Sequence, residues 1–516
     1  MTLIPVLTPL QASDWDTASV AAGQSLASLM DAAGRAVAHL LRERFPHEAA
    51  QGVLVACGSG NNGGDGWVVA GALHALAIPV WVTETAIPHD GLAASVRAAA
   101  LAGGVRTVAH DGPWPSIGVM VDAMLGTGAC GPLREPIPAL IERMLDLELP
   151  IVAVDGPTGL DLETGLPHGS LTAVLTVTFG GLRRGHLLAR DEVGEVVVVD
   201  IGLGPADPAL PHLVDQSWAA ERLTRLAARS HKGIRGRVVI VGGDVSMTGA
   251  ARLAARAAFA AGAGLVHVVA PAASLQILRV AEPDVQTSEQ SFGAALTSDV
   301  VALIASADVV IVGPGLGRAP DRHALVIQVL SHARAAVIDA DALVALKGEV
   351  PTLATLAASR SFVCTPHVGE FRTLFGEFAD DLETAPWEAA RNATAASHCT
   401  VLLKGVPTVV ASGGEPSLTV AAGNPGLATG GSGDVLSGII GALMAQGIVL
   451  PDAAAMAAQA LGEAADHAAR RTTARALRPM DVVAALPDVW RAWARQREEP
   501  ASLASVLCDL PAPQSV

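Results

Sequence analysis

The chain has 516 residues, half of them apolar, with 50 acidic against 34 basic side chains and a net charge of −16. That length exceeds one ordinary domain at roughly 150 residues each, and that charge excludes sequence-independent nucleic-acid binding, which needs basic surface against phosphates. The five cysteines, at 57, 130, 364, 399 and 508, form no CxxC pair, which excludes a zinc or disulfide scaffold and suits a reduced, cytoplasmic chain.

The opening MTLIPVLTPLQASDWDT has no basic n-region and two early prolines, so no secretory signal is expected. From 12 to 45 apolar residues recur at helical spacing (Ala21, Leu26, Leu29, Met30, Ala33, Val37, Leu40, Leu41), with Ser13 as the expected N-cap. Strand-like runs then alternate with Ala-rich helical stretches at 52–57, 78–83, 117–122, 151–155, 174–179 and 195–201. Buried runs at helix-length intervals predict a mostly parallel sheet with helices on both faces. The proline-rich GLGPADPALPH (202–212) interrupts the rhythm, and an Arg-rich helical stretch is expected at 217–229. The rhythm resumes at 237–242, 265–270, 308–313, 336–339, 362–365, 400–403 and 407–411. The spacing predicts two α/β domains, 1–215 and 216–500, and an irregular tail at 501–516. The apolar run Val435 to Pro451 holds Ser437, Gln446 and three glycines, and is read as a buried helix rather than a membrane span.

In open α/β sheets, ligands bind where strand C-terminal ends meet glycine-rich turns and helix N-termini. CGSGNNGGDG (57–66) is placed there, as a loop before an expected helix at 67–77. It matches neither a dinucleotide fingerprint nor a P-loop, and a plain turn is an equal reading on its own. Two further strand ends add VDAMLGTGACGPLRE (121–135) and VDGPTGLDLETG (154–165). An Asp closing a buried strand often only caps a helix. Together, however, the three loops offer Asn, Asp and Thr oxygens along one sheet edge, a donor set for a hard cation or ribose hydroxyls.

NNGGDG, VDxxLGTG and VDxPTG, with LMDAAGRAV (29–37), resemble the NAD(P)H-hydrate epimerase family in order and approximate spacing. The resemblance implies a Rossmann-like domain with a potassium ion, held by Asn62, Asp122 and Thr158; Thr158 stands where the family usually has Ser. It implies contacts to a hydrated nicotinamide nucleotide from Asn61, Asn62, Gly63, Gly64, Asp65, the loop Gly126, Thr127, Gly128, Ala129, Cys130, Gly131 and Pro132, and Asp155. The loop departs from the family's usual GLxRxxxE. A carboxylate at a strand end can relay protons during epimerisation, with Asp155 the first candidate and Asp65 the second.

In the second half, NPGLATGGSGDVLSGII (424–440) opens a long apolar helix with GGSGD. Bare amides at a helix start make an anion site, and Asp434 in the first turn is placed as a base beside it. An Asp favouring the helix dipole would explain the same residue. HKGIRG, GPGLG, TPHVGE and LLKGVPT accompany it, and two of the chain's three lysines, Lys232 and Lys404, lie in these motifs. This set resembles the ADP/ATP-dependent NAD(P)H-hydrate dehydratase family, whose fold is ribokinase-like. The resemblance implies adenine-nucleotide contacts from Lys404, Gly405, Val406, Pro407, Thr408 and Gly433, and substrate contacts from Ala250, Gly315 or Gly317, His367 and Asp434. It implies magnesium for the nucleotide phosphates, ADP (or ATP) as co-substrate, NADH and NADPH hydrates as substrates, and a homo-oligomer. Both motif sets in one chain match a fused repair enzyme. The alternative is a ribokinase-like vitamin kinase carrying a non-catalytic nucleotide-binding module.

Overall fold

A computed structural model describes residues 3–498 and 505–514. Two compact units divide it. The first runs to Leu210 and is rejoined by the strand Val506–Leu510; the second begins at Pro211.

The first unit is built on a parallel sheet in the order Glu195–Val199, Leu175–Phe179, Ile151–Val154, Val119–Ala123, Val53–Cys57, Val80–Glu84 and Arg106–Thr107. Its inner strands are buried on both faces, so they read as continuous apolar runs rather than alternating ones. Val506–Leu510 adds to the Glu195–Val199 edge antiparallel. This corrects the expectation of an irregular tail; residues 499–504, 515 and 516 of that tail lie outside the described residues.

The expected helix over 12–45 is two helices, Pro9–Ala21 and Leu26–Arg44. Thr8, not Ser13, caps the first, in a capping box with Gln11, and Ser25 caps the second. Gly23, at φ +108, makes the break. The helix after Val53–Cys57 starts at Asn61, not at 67. The glycine-rich segment is therefore its first turns rather than a loop.

In the second unit Gln286–Glu289, Leu265–Ala270, Arg237–Val241, Val309–Val312, Ala335–Ile338, Ser361–Cys364 and Thr400–Leu403 run parallel in that order. Thr408–Ala411 and Leu418–Val420 then continue antiparallel. The helices Thr248–Ala260, Ser432–Ala445 and Leu450–Ala469 pack here with largely buried Ala-rich faces. The Arg-rich stretch is helical only over Gln216–Arg222. Among the described residues no helix is long and apolar enough to cross a membrane, and the run from Val435 belongs to the buried helix Ser432–Ala445.

Candidate functional site

In the first unit, three strand ends converge on a cavity of about 670 Å³. Asp122 is the penultimate residue of the strand Val119–Ala123 and is fully buried. Thr158 donates its amide to Asp122 Oδ2 at 2.6 Å and its hydroxyl to Oδ1 at 2.7 Å, and the Met124 amide donates to Oδ1 at 3.2 Å. The Leu125 amide in turn donates to Thr158 Oγ1 at 3.1 Å, and Asn62 Nδ2 donates to the Leu125 carbonyl at 2.9 Å. Asn62, Asp122 and Thr158 are thus tied together through one stretch of backbone. Burial pushes the Asp122 carboxyl up to about 6 against these hydrogen bonds. Among the described residues no cationic side chain pairs with it. The donors are oxygens throughout, and no cluster of three His, Cys, Asp or Glu side chains that could hold a metal occurs among the described residues. An oxygen-only set around one uncompensated carboxylate fits a monovalent cation.

Asp155 differs. Its backbone is left-handed, at φ +66, a conformation costing a non-glycine residue roughly 1–3 kcal/mol and concentrated at functional sites. The His186 ring fixes it: Nδ1 accepts the Arg183 amide at 3.0 Å, and Nε2–H donates to the Asp155 carbonyl at 2.6 Å. Burial lowers His186 to about 4, in keeping with this neutral tautomer. The Asp155 carboxylate takes hydrogen bonds from the amide (2.9 Å) and hydroxyl of Thr127, from Thr178 Oγ1 at 3.2 Å and from Arg183 Nη2 at 3.2 Å. Burial raises this carboxyl, but Arg183 and Thr127 outweigh it and leave it below its ordinary range. Asp65 and Asp16 line the same cavity. Burial, with Asp155 and then Asp16 beside it, holds Asp65 well above the ordinary range. Burial also raises Asp16, opposed by Arg183.

Asn61, Asn62, Asp65, Gly126, Thr127, Gly128, Ala129 and Asp155 line the cavity, whereas Cys130, Gly131 and Pro132 line an adjoining hollow. Gly63 and Gly64 line neither. A Cβ at Gly63 would lie 1.9 Å from the Gly58 carbonyl oxygen, and one at Gly64 would lie 2.6 Å from Met30. Backbone packing therefore requires glycine at Gly63, whereas at Gly64 the flexible tip of Met30 can shift.

In the second unit, Asp434 lies in the first turn of the helix Ser432–Ala445, whose N-cap Gly431 is left-handed at φ +104. Burial, reinforced by Asp339 and opposed by Lys404, raises Asp434 to about 7. Lys404 Nζ stands 3.0 Å from Asp339 Oδ1 and 3.5 Å from Glu370 Oε2. Burial alone would lower the ammonium pKa, but these two carboxylates raise it. Ser437 Oγ donates to Asp339 Oδ2 at 2.7 Å. A Cβ on Gly433 would come within 3.4 Å of Lys404 Nζ. The lysine therefore faces the helix start, while Gly405, Val406 and Pro407 form the turn between two antiparallel strands, with Val406 exposed and Thr408 opening the second strand.

His367 caps the helix Val368–Leu374: Nδ1 accepts the Gly369 amide at 2.9 Å, and Glu370 reaches back to the His367 amide at 2.9 Å. Gly315, at φ +58, packs against Ala250, and the Gly317 amide donates to Asp341 Oδ2 at 3.0 Å. A β-bridge pairs His367 with Lys404, so these two neighbour each other at the sheet's C-terminal edge.

Residues 238–488 match a family described as NAD(P)H-hydrate dehydratase, and residues 26–185 match the YjeF-related protein N-terminus. The chain is 38% identical to the bifunctional NAD(P)H-hydrate repair enzyme Nnr of Escherichia coli (strain K12), over 90% of this chain and 89% of the relative. It is 36% identical to the enzyme of the same name from Pyrobaculum aerophilum, over 90% and 94%. The chain belongs to the bifunctional NAD(P)H-hydrate repair enzyme family. Among solved structures, a ribokinase-like superfamily protein from Enterococcus faecalis is similar at 26% identity and TM-score 0.48, covering 55% of this chain and 96% of that one. Membership of the repair family leaves the vitamin-kinase alternative without support.

Several site residues are absent from the sequence-based set. Arg183 and His186 organise Asp155, and Asp16 lines the same cavity. In the second unit Asp339 and Ser437 set the environment of Lys404. Asp339 carried a visible signal: like Asp122, it directly follows a run of buried apolar residues near the end of a strand.

Proposed function

We propose that the chain repairs hydrated NADH and NADPH, its first unit interconverting the R and S hydrates and its second dehydrating the S form with ADP. In the second unit, Asp434 takes the proton of the C6 hydroxyl, whose oxygen attacks the terminal phosphoryl of the nucleotide. AMP leaves, phosphate then departs from C6, and loss of a C5 proton restores the ring double bond. The observation that carries this reading is Asp434, raised to about 7 in the first turn of a glycine-opened helix beside the Lys404 ammonium. That places a base, bare amides and a cation at one point, as phosphoryl transfer needs. Magnesium would neutralise the nucleotide phosphates; such an ion needs only one or two carboxylates besides the phosphates themselves.

In the first unit, epimerisation breaks the C6–O bond and lets water re-add on the other face. Protonated Asp65 gives its proton to the departing hydroxyl and takes one back from the incoming water. Asp155 was the first candidate for this role, but its engagement with Arg183 and Thr127 suits a fixed anion rather than a proton carrier. Asn62, Asp122 and Thr158 would hold potassium, which would offset the Asp122 charge and link the three loops. The reading also includes a cytoplasmic homo-oligomer, in keeping with five cysteines that form no CxxC pair; light scattering would check its assembly.

The test gives the protein mixed NADH hydrates and follows recovered NADH by absorbance with ADP, with ATP and with neither. Complete recovery with ADP is expected. Recovery of only the S fraction beyond the spontaneous rate would remove the epimerase half of the reading, and no recovery with either nucleotide would remove the other.

A further inference from the structure

The large cavity of the first unit does not end at the loop 126–132. A second hollow of about 300 Å³ adjoins it. Leu125, Gly128, Ala129, Arg134 and Ile137 line both volumes. The far wall of the second comes from the segment after Thr158, through Gly159, Leu160, Asp161 and His168. Gly128 has an ordinary negative φ, and a Cβ there would meet nothing within 4 Å. Neither conformation nor packing therefore requires glycine at that point. What glycine does is leave bare backbone where the two volumes join.

The two volumes differ in charge. Asp16, Asp65, Glu135 and Asp155 line the large cavity and not the hollow. The hollow is faced by Arg134 and His168. Neither side chain has a hydrogen-bond or ion-pair partner among the described residues. The one acid there, Asp161, is turned into its own loop, where Oδ1 accepts the Glu163 amide at 2.8 Å and the Thr164 amide at 3.1 Å. In a chain of net charge −16, an arginine on a cavity wall that forms no ion pair among the described residues, even with the adjacent Glu135, is notable. Its planar fork fits a phosphoryl oxygen pair.

A dinucleotide is larger than the drug-sized ligands that fill pockets of roughly 300–1,000 Å³, and the hollow adds a contiguous volume to the first. We infer that the hollow receives a phosphoryl group of the bound dinucleotide hydrate, contacted by Arg134 and His168, while the hydrated ring occupies the large cavity. This rests on the first unit acting on dinucleotide hydrates. The phosphoryl could come from the diphosphate bridge or from the 2′-phosphate of the NADPH form.

The experiment measures epimerisation of NADH hydrate and NADPH hydrate by the full-length protein, as wild type, Arg134→Ala and His168→Ala. Because a remote phosphoryl contact is the same in ground and transition states, KM should rise about tenfold or more with kcat nearly unchanged. A rise for both hydrates assigns the diphosphate, and a rise confined to NADPH hydrate assigns the 2′-phosphate; either supports the inference. An unchanged KM for both variants overturns it, as does a fall in kcat alone. An unchanged kcat for epimerisation, with an unshifted thermal melt, checks that the first unit of each variant is folded. A readout apart from catalysis is alkylation of the exposed Cys130 on the wall of the hollow. NADPH hydrate should slow it in the wild type, and Arg134→Ala should need a higher concentration for equal protection. Wild-type protein that epimerises neither hydrate would instead sink the parent reading, and this inference with it.

Discussion

Thr158 gives Asp122 both its amide and its hydroxyl, at 2.6 and 2.7 Å, and among the described residues no cationic side chain pairs with that carboxylate. Burial raises this carboxyl to about 6. A raised acid contributes stability that is fully present below its unfolded value near 4 and is lost as pH rises through 6. A bound potassium ion would oppose that loss, because it favours the ionised form. Exchanging choline for potassium should therefore raise Tm by a few degrees at pH 7.5 and much less at pH 5, where each kcal/mol is worth roughly 2–4 °C in a domain of this size. Asp122→Asn should abolish the difference. Scanning calorimetry in the two salts checks it; equal shifts at both pH values would remove Asp122 from the ion site.

Asp434 is predicted to act as a base, so it must be ionised to work. With its carboxyl raised to about 7, ADP-dependent dehydration should climb with pH to a plateau above about 7. Asp434→Asn should lower kcat by about 10²–10⁴-fold, the usual reach of a positioned base, and flatten the profile. Epimerisation should be untouched. A variant that keeps the wild-type pH profile would assign the rise to another group.

Asp65 and Asp155 should separate cleanly by substitution. Asp155 is the counter-ion of buried Arg183, at 3.2 Å. Asp155→Asn leaves that guanidinium unpaired, and breaking a buried pair costs about 3–5 kcal/mol, so Tm should fall with activity. Asp65 carries an unfavourable buried carboxyl. Asp65→Asn should hold or raise Tm at pH 7 while slowing epimerisation about 100-fold. Both a thermal melt and an R-to-S equilibration assay are needed. An Asp65→Asn protein with full epimerase rate would return the proton relay to Asp155.

The contrast between these two acids marks where the sequence is legible. Asp122 and Asp155 could be found because an acid directly after a buried apolar run can only sit at the sheet's C-terminal edge. Asp339 had the same signature and was readable in the same way. Arg183 and His186 were not. Their chemistry depends on a short strand and helix folding back onto a turn 28 and 31 residues upstream, and no periodicity encodes that. The helix beginning at Asn61 was hidden because glycine is a poor helix former, so local propensity read a loop where tertiary packing imposes a helix. The strand Val506–Leu510 escaped because its partner, Glu195–Val199, lies some three hundred residues away in sequence. The α/β alternation itself was plain, since it is written in every buried strand.

The glycines of 57–66 give a final test, because the resemblance implies ligand contacts there while the fold also demands glycine at Gly63 for packing. A methyl group at Gly63 would sit 1.9 Å from the Gly58 carbonyl oxygen, inside rigid backbone that cannot yield as a side chain could. Gly63→Ala should therefore cost about 1–3 kcal/mol, the usual toll of overpacking, even though alanine favours helix over glycine by roughly 1 kcal/mol. Gly128→Ala, where a methyl would meet open space, should leave Tm unchanged. Denaturant midpoints of the two variants measure the difference. If Gly63→Ala is as stable as the wild type, its glycine answers to a ligand after all, and the helix start would have to be redrawn around a bound nucleotide.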